Sequence, residues 1–96
     1  MRIKGDFESR RVWIDGEELL PHESQKVYNH SPDGYNWSYN GSGPSQLALA
    51  LALKICPDIA SGYQNLKFNF VSQLPQGDFE IEVSKEQIKE MLNKEI

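Results

Sequence analysis

The chain has 96 residues, of which 39% are hydrophobic and 25% charged; this composition supports one hydrophobic core and excludes a disordered chain or a second domain. Its formal net charge of −4 argues against bulk nucleic-acid binding, which neutralises many phosphates. The N-terminus lacks the apolar core of a secretory signal, and no apolar run approaches the roughly 20 residues of a membrane span. We therefore predict a single soluble, cytoplasmic domain over residues 1–96, with no membrane association.

The first part of the chain has the composition of short antiparallel strands. Segments Arg2–Glu8 and Arg10–Asp15 are rich in strand-forming residues, and Gly16 follows the second segment as part of an Asp-Gly turn signal. A third strand is predicted at Gln25–His30. Strand alternation places Trp13 opposite its neighbours, so it is either a core residue of a second face or a surface anchor, and we favour the core.

A buried central helix is predicted over Ser45–Ile55. Its leucine and alanine residues are strong helix formers, and they occur on every side of the helix. Pro44 suits the first turn, where its missing N–H has no intrahelical partner to lose. Either Ser42 or Gly43 is the expected N-cap.

The C-terminal part of the chain is predicted to form a helix, a strand and a second helix. Apolar residues between Ile59 and Leu74 recur at intervals of three and four, which is a helical period. A turn separates them from Phe79–Val83, whose alternation is that of a half-buried strand. Ser84 and Gln87 form a capping-box pattern that starts a last helix. The predicted order is β-β-β-α-α-β-α, an α+β fold in which a small, mostly antiparallel sheet packs against the central helix and flanking helices.

The unusual segment is a glycine-rich loop over Asn29–Gly43. Asp33 is the one formally charged residue between positions 29 and 53, and the loop carries three aromatic residues, Tyr35, Trp37 and Tyr39. Aromatic residues in a charge-poor surface segment are typical of binding hot spots. The alternative is that these side chains pin the loop to the core.

The start of the central helix offers a second kind of site. Free N–H groups and the positive end of the helix dipole favour an anion there, and glycines allow close approach of the backbone. His30 as base with Ser31 or Ser42 as nucleophile would be a catalytic alternative, but a turn-stabilising histidine is the favoured interpretation. The candidate ligand- or partner-binding residues are Asn29, His30, Ser31, Tyr35, Trp37, Tyr39, Ser42, Gly43 and Gln46.

Cofactors and metals find little support in the sequence. The two histidines and the one cysteine have no familiar zinc spacing, and the chain has neither a Walker pattern nor a dinucleotide fingerprint. Cys56 is expected to be a buried structural thiol, since free cysteine is among the most buried residue types. We predict no cofactor, no metal and no assigned catalytic residue.

The segment from Asn29 to Leu51, NHSPDGYNWSYNGSGPSQLALAL, resembles an uncharacterised family of small prokaryotic and phage- or plasmid-associated proteins. That family has the pattern NHSPxGFxWGYxGSGPxQLALAL, followed by an aromatic-rich helix, a Leu-Pro pair and a terminal helix. Tyr35 stands where phenylalanine is usual, and Ser38 where glycine is usual. The resemblance implies a shared fold and supplies no activity.

Two functions are expected from this sequence. The first is a non-enzymatic interaction module whose aromatic loop docks a protein partner, in phage or mobile-element biology, with homodimerisation left open. It predicts that Trp37→Ala leaves the fold intact and abolishes partner binding. The alternative is binding of a small anion, a nucleotide or a nucleic-acid end at residues 41–46, with hydrolase activity left open.

Overall fold

The N-terminal strands form an antiparallel hairpin in the computed structural model, which describes residues 1–95. Strand β1 spans Arg2–Asp6, β2 spans Arg11–Ile14, and β3 is the two-residue strand Glu17–Glu18. The predicted turn connects β2 to β3, with φ of 50° at Asp15 and 82° at Gly16. Two positive φ values are those of a type I′ turn, whose twist matches that of the strands it joins.

A fourth strand, β4, spans Phe79–Glu82 and completes the sheet in the order β3-β2-β1-β4. All three strand pairs are antiparallel. Side chains on the inner face join the core, among them Ile3 and Val12, which are fully buried. The predicted α+β class and antiparallel sheet are therefore confirmed, with β4 near its predicted place.

The predicted strand over Gln25–His30 is wrong. Helix α1 spans His22–Val27, so residues 1–95 hold one α-helix more than predicted, and the third strand lies earlier, at β3. The β-propensity of the Val-Tyr pair is overridden because Ser24 turns inward, where it is 2% exposed and its hydroxyl donates to the Pro21 carbonyl at 2.8 Å. In a strand over Gln25–His30, alternate polar side chains would point into the core without hydrogen-bond partners of this kind.

Helix α2 spans Ser42–Ile55 and lies at the centre of the domain. It contacts the other three helices, and its buried side chains share one core with the sheet. Gly41 is the N-cap, rather than Ser42 or Gly43 as predicted, and it caps without a side-chain hydrogen bond. None of the helices in the described part of the chain has the length and apolar character needed to cross a bilayer. The segment between α1 and α2, residues 28–41, is called the interhelix loop below.

Two further helices cover the remaining sides of α2. Helix α3 spans Tyr63–Asn69 between short 3-10 turns at Pro57–Gly62 and Val71–Gln73, so the predicted helical period is present but interrupted at both ends. Helix α4 spans Lys85–Asn93 and begins with the predicted capping box, in which the Ser84 hydroxyl accepts from the Gln87 N–H at 3.0 Å. Cys56, after α2, is buried as expected.

Trp13 does not enter the core as predicted. It lies half-buried on the outer face of the sheet, where the Arg11 guanidinium is 5.1 Å and the Lys4 ammonium 6.0 Å from its ring centroid. In the described chain the helices cover only the inner face, so the outer face has no second layer to bury a tryptophan. Cationic side chains shield the ring instead.

Candidate functional site

The interhelix loop is fastened to α2 by one buried side-chain amide. Gln46 is 0% exposed, and its Oε1 accepts from the main-chain N–H groups of His30 at 2.8 Å and Ser31 at 3.0 Å. Its Nε2 donates to the Ser24 hydroxyl at 2.9 Å and to the Tyr28 carbonyl at 3.1 Å. The amide therefore uses both its donors and both its acceptor positions within the protein. Gln46 positions the loop and has no group left for a ligand.

Of the three aromatic residues predicted as a binding hot spot, two lie in the core. Trp37 is 1% exposed, and its Nε1–H donates to the Gly77 carbonyl at 2.9 Å. Tyr35 is 5% exposed, and its hydroxyl has no hydrogen-bond partner within residues 1–95. Burial, with a smaller effect of the Glu18 carboxylate, raises the pKa of the Tyr35 hydroxyl well above its ordinary value. Both side chains hold the loop against the core, which is the alternative that the sequence left open.

Ser38 has a backbone conformation that favours glycine, the residue that the resemblance led us to expect at this position. Its φ is 77°, in the left-handed region. Its N–H donates to the Val71 carbonyl at 3.1 Å and its hydroxyl to the Pro75 carbonyl at 2.8 Å. These two bonds stabilise a conformation that costs a non-glycine residue free energy.

A polar cleft of about 380 Å³ lies at the start of α2. Five of the nine predicted site residues line it, namely Ser31, Tyr35, Tyr39, Ser42 and Gly43. Sequence reasoning missed Arg10, which also lines the cleft and whose guanidinium lies 3.6 Å from the Phe7 ring centroid. The carboxylates of Glu8 and Asp33 line the cleft as well. One guanidinium with two carboxylates makes this cleft a poor match for an anion alone.

Gly43 is required by packing. A Cβ atom at this position would lie 2.6 Å from the Asn36 Cβ and 3.1 Å from the Asn36 main-chain nitrogen. Because these atoms belong to the backbone or are attached to it directly, the loop would have to shift. The substitution Gly43→Val therefore disturbs the fold whether or not a ligand binds, and it is unsuitable as a test of binding.

His30 and Asn29 lie outside the polar cleft. The His30 Nε2 is 2.7 Å from the Tyr63 hydroxyl on α3, and its ring stacks on Tyr28 with centroids 4.2 Å apart. Asn29 is exposed. The structure therefore brings His30 to α3, while Ser31 and Ser42 line the cleft. This arrangement gives no support to a base and nucleophile formed by His30 and Ser42.

The environment of His30 predicts a pH dependence of stability. Burial, assisted by the Lys67 charge, lowers the pKa of His30 below its ordinary value of 6.5. As the pH falls, the unfolded chain therefore binds a proton at His30 before the folded protein does. The contribution of His30 to the free energy of unfolding is complete above pH 6.5 and is lost as the pH falls from there through the lower pKa of the folded state. We expect His30→Gln to flatten this part of the curve of unfolding free energy against pH, measured by urea denaturation. The exposed His22→Gln is the control, and equal curves for wild type and His30→Gln would contradict the assignment.

An apolar groove of about 300 Å³ lies between the β2–β3 hairpin and helices α1 and α2. Its apolar lining comes from Ile14, Leu19, Leu20, Ala50 and Leu53. Leu20 is 50% exposed at this groove, and the first three residues of α1 complete the wall. Three glutamates and one lysine also line the groove. The described residues thus form a concave surface that is largely apolar at this place.

Sequence reasoning placed no site at this groove. The available signal was the Leu19-Leu20 pair, which interrupts a polar stretch just before Pro21. From the sequence, such a pair is interpreted as one buried and one exposed residue. Only the packing of the hairpin beside α2 shows that Leu20 borders a concavity. The residues that form the wall come from four separate elements or their flanks.

The fold and these surfaces define a small α+β domain with an interhelix loop packed against the core, a polar cleft and an apolar groove. In the described part of the chain no three His, Cys, Asp or Glu side chains come together as metal ligands. The chain belongs to the family of unknown function DUF6166, whose profile matches residues 3–94. No curated protein and no solved structure matches the chain.

Proposed function

We propose that this domain is an interaction module that binds a protein partner through the apolar groove beside β3. The observation that carries the proposal is Leu20, a large aliphatic side chain that is 50% exposed at the edge of a concave apolar wall. Central apolar anchors in concave pockets supply much of the free energy of protein association. The docking surface thus differs from the aromatic loop expected from the sequence, since Tyr35 and Trp37 are buried.

The size of the groove favours a protein side chain over a large ligand. Its volume of about 300 Å³ is at the lower end of small-molecule sites, which range over roughly 300–1,000 Å³. The polar groups on its rim are already engaged, as in the Lys54–Glu17 pair at 3.4 Å. Binding of one or two apolar side chains of a partner uses the apolar wall without separating this exposed ion pair.

The charges around the groove favour a basic partner. Glu17, Glu18 and Glu23 line it against one lysine, Lys54, and the whole chain carries a net charge of −4. Complementary charge at the rim of an interface raises the association rate and selects among partners. We therefore propose a partner segment with apolar anchors flanked by lysine or arginine.

A selection from a displayed library of random short peptides tests this function. Clones that bind the wild type should be rich in apolar and basic residues and should bind Leu20→Gln about fivefold more weakly, since half of a buried leucine contributes roughly 1 kcal/mol. The matched control is Val27→Gln, which removes another exposed aliphatic side chain, 61% exposed, outside the groove. Clones whose binding is equally affected by both substitutions, or an acidic consensus, would refute the proposal.

The second candidate is the small-anion or nucleotide site at the start of α2, which the sequence left as the alternative. Arg10 in the polar cleft favours it, while Glu8 and Asp33 oppose it. A titration with phosphate and mononucleotides, followed through the amide shifts of Ser42 and Gly43, decides whether this cleft binds either ligand. A cytoplasmic location, a setting in phage or plasmid biology and a homodimer remain expectations from the sequence.

A further inference from the structure

We infer that the partner is an extended chain segment that adds to the free edge of β3 as a fifth strand. The inference rests on the proposed function of the groove and adds the binding mode and the residue pattern of the partner. Three features of the hairpin support it: an open edge, outward-directed main-chain groups, and a groove on the side where an added strand would place its inner side chains.

The edge of the sheet at β3 is open. The strand order β3-β2-β1-β4 leaves β3 with one strand neighbour. Among the strands and helices of the described chain, β2 is the one whose main chain lies beside that of β3, while α2 reaches β3 through the side-chain pair of Lys54 and Glu17 at 3.4 Å. Helix α1, which follows β3 in sequence, packs on α2 instead. An exposed strand edge presents unpaired N–H and C=O groups to another chain.

The register shows which main-chain groups face outward. Glu17 pairs with Ile14, and the Leu19 N–H donates to the Val12 carbonyl at 2.8 Å, so Glu17 and Leu19 direct their main-chain groups toward β2. These groups alternate in direction along a strand of an antiparallel pair. The N–H and C=O of Glu18 therefore point to the open side, where they can form two hydrogen bonds with an added strand.

The groove lies on the inner face of the same edge. Ile14, its cross-strand partner Glu17 and Leu19 line it. Glu18 borders the groove too, but it pairs with Trp13, so strand alternation directs its side chain to the outer face. Successive side chains of an added strand point to opposite faces. Those on the inner face would enter the groove, and those on the outer face would lie beside Glu18.

These positions predict an alternating partner sequence. Apolar residues at every second position would fill the groove, and lysine or arginine at the positions between them would lie beside Glu18, which now bonds Arg11 at 2.7 Å. Exposed ion pairs of this kind are weak, so a second cation can share the carboxylate. A second copy of this chain is a poor occupant, because its own β3, Glu17–Glu18, would set like charges opposite each other.

The test uses a capped peptide of alternating lysine and valine, titrated into isotope-labelled protein. Saturable amide shifts should centre on Glu18, Leu20 and Leu53, and the glutamate–valine counterpart should bind more than tenfold more weakly. Failure of the lysine–valine peptide to bind overturns the inference. Shifts of the same amides with protein concentration alone, without peptide, would assign the edge to a second copy and also overturn it.

Two methylated peptides separate strand addition from simple occupation of the groove. In one peptide every lysine main-chain nitrogen is methylated, and in the other every valine nitrogen, so only one of them blocks the N–H groups that face β3. An antiparallel addition predicts at least about tenfold weaker binding for the lysine-methylated peptide, and a parallel addition predicts that loss for the valine-methylated one.

Equal affinities of the two methylated peptides would overturn the fifth strand. Docking in the groove would survive that result if Leu20→Gln still weakens binding of the unmodified peptide while Val27→Gln does not. Failure of the binding mode and failure of the proposed function therefore give different results.

Discussion

Replacing Trp37 by alanine is expected to lower the free energy of unfolding by about 3–5 kcal/mol, the range for deletion of a large aromatic side chain from a core. Trp37 is 1% exposed, and its ring packs edge-on against Phe79 with centroids 5.0 Å apart and against Phe7 at 5.8 Å. The substitution also leaves the partly buried Gly77 carbonyl without the indole N–H. A domain of this size with a stability near the lower end of about 5–15 kcal/mol would then be close to unfolding.

The chain contains a matched control in its second tryptophan. Trp13→Ala removes the same side chain from the outer face of the sheet, where the contacts are chiefly with Arg11 and Lys4, and should cost about 1 kcal/mol. Urea denaturation followed by far-ultraviolet circular dichroism measures both variants without depending on tryptophan fluorescence. Similar losses at the two positions would show that Trp37 is not the core residue described above.

The burial of Trp37 changes how binding experiments on this domain are interpreted. The sequence led us to expect that Trp37→Ala leaves the fold intact, whereas the packing of its ring predicts a large loss of stability. Loss of a partner in that variant would then report unfolding. Leu20→Gln and Val27→Gln avoid this difficulty because both side chains are at least half exposed.

Replacing Gln46 by leucine is expected to cost about 2–4 kcal/mol and to release the interhelix loop from α2. A leucine of similar size fills the space but satisfies none of the four groups that Gln46 now bonds, which belong to Ser24, Tyr28, His30 and Ser31. Each buried polar group left without a partner costs about 1–3 kcal/mol. Because three of these groups are on the loop main chain, the loop lowers that cost by opening to water.

Hydrogen exchange of the backbone amides distinguishes local release from global destabilisation. In Gln46→Leu the amides of His30 and Ser31 should exchange much faster than those of α2, and the urea midpoint should fall. The control is Gln76→Leu, the same change at an exposed glutamine. Unchanged protection of the two loop amides would contradict the role assigned to Gln46.

Local sequence rules predicted much of the fold because neighbouring residues decide those features. The Asp15-Gly16 turn and the capping box of Ser84 and Gln87 each require only a few consecutive residues to adopt one conformation. The length and apolar character of α2 likewise follow from its own residues. Gln25–His30 was misassigned because its state depends on Ser24, whose hydroxyl, besides its local bond to Pro21, accepts a hydrogen bond from Gln46, 22 residues further along the chain.

The sequence by itself determined the α+β class, the pairing signals of the hairpin, the buried central helix and the existence of a structured loop before it. Only the tertiary structure decided which faces of these elements meet. It buried Tyr35 and Trp37, gave Gln46 its four partners, and left Leu20 at the edge of a groove. The physical reason is that burial depends on surfaces brought together from distant parts of the chain. An aromatic residue or a leucine has the same local propensities whether it ends up buried or exposed.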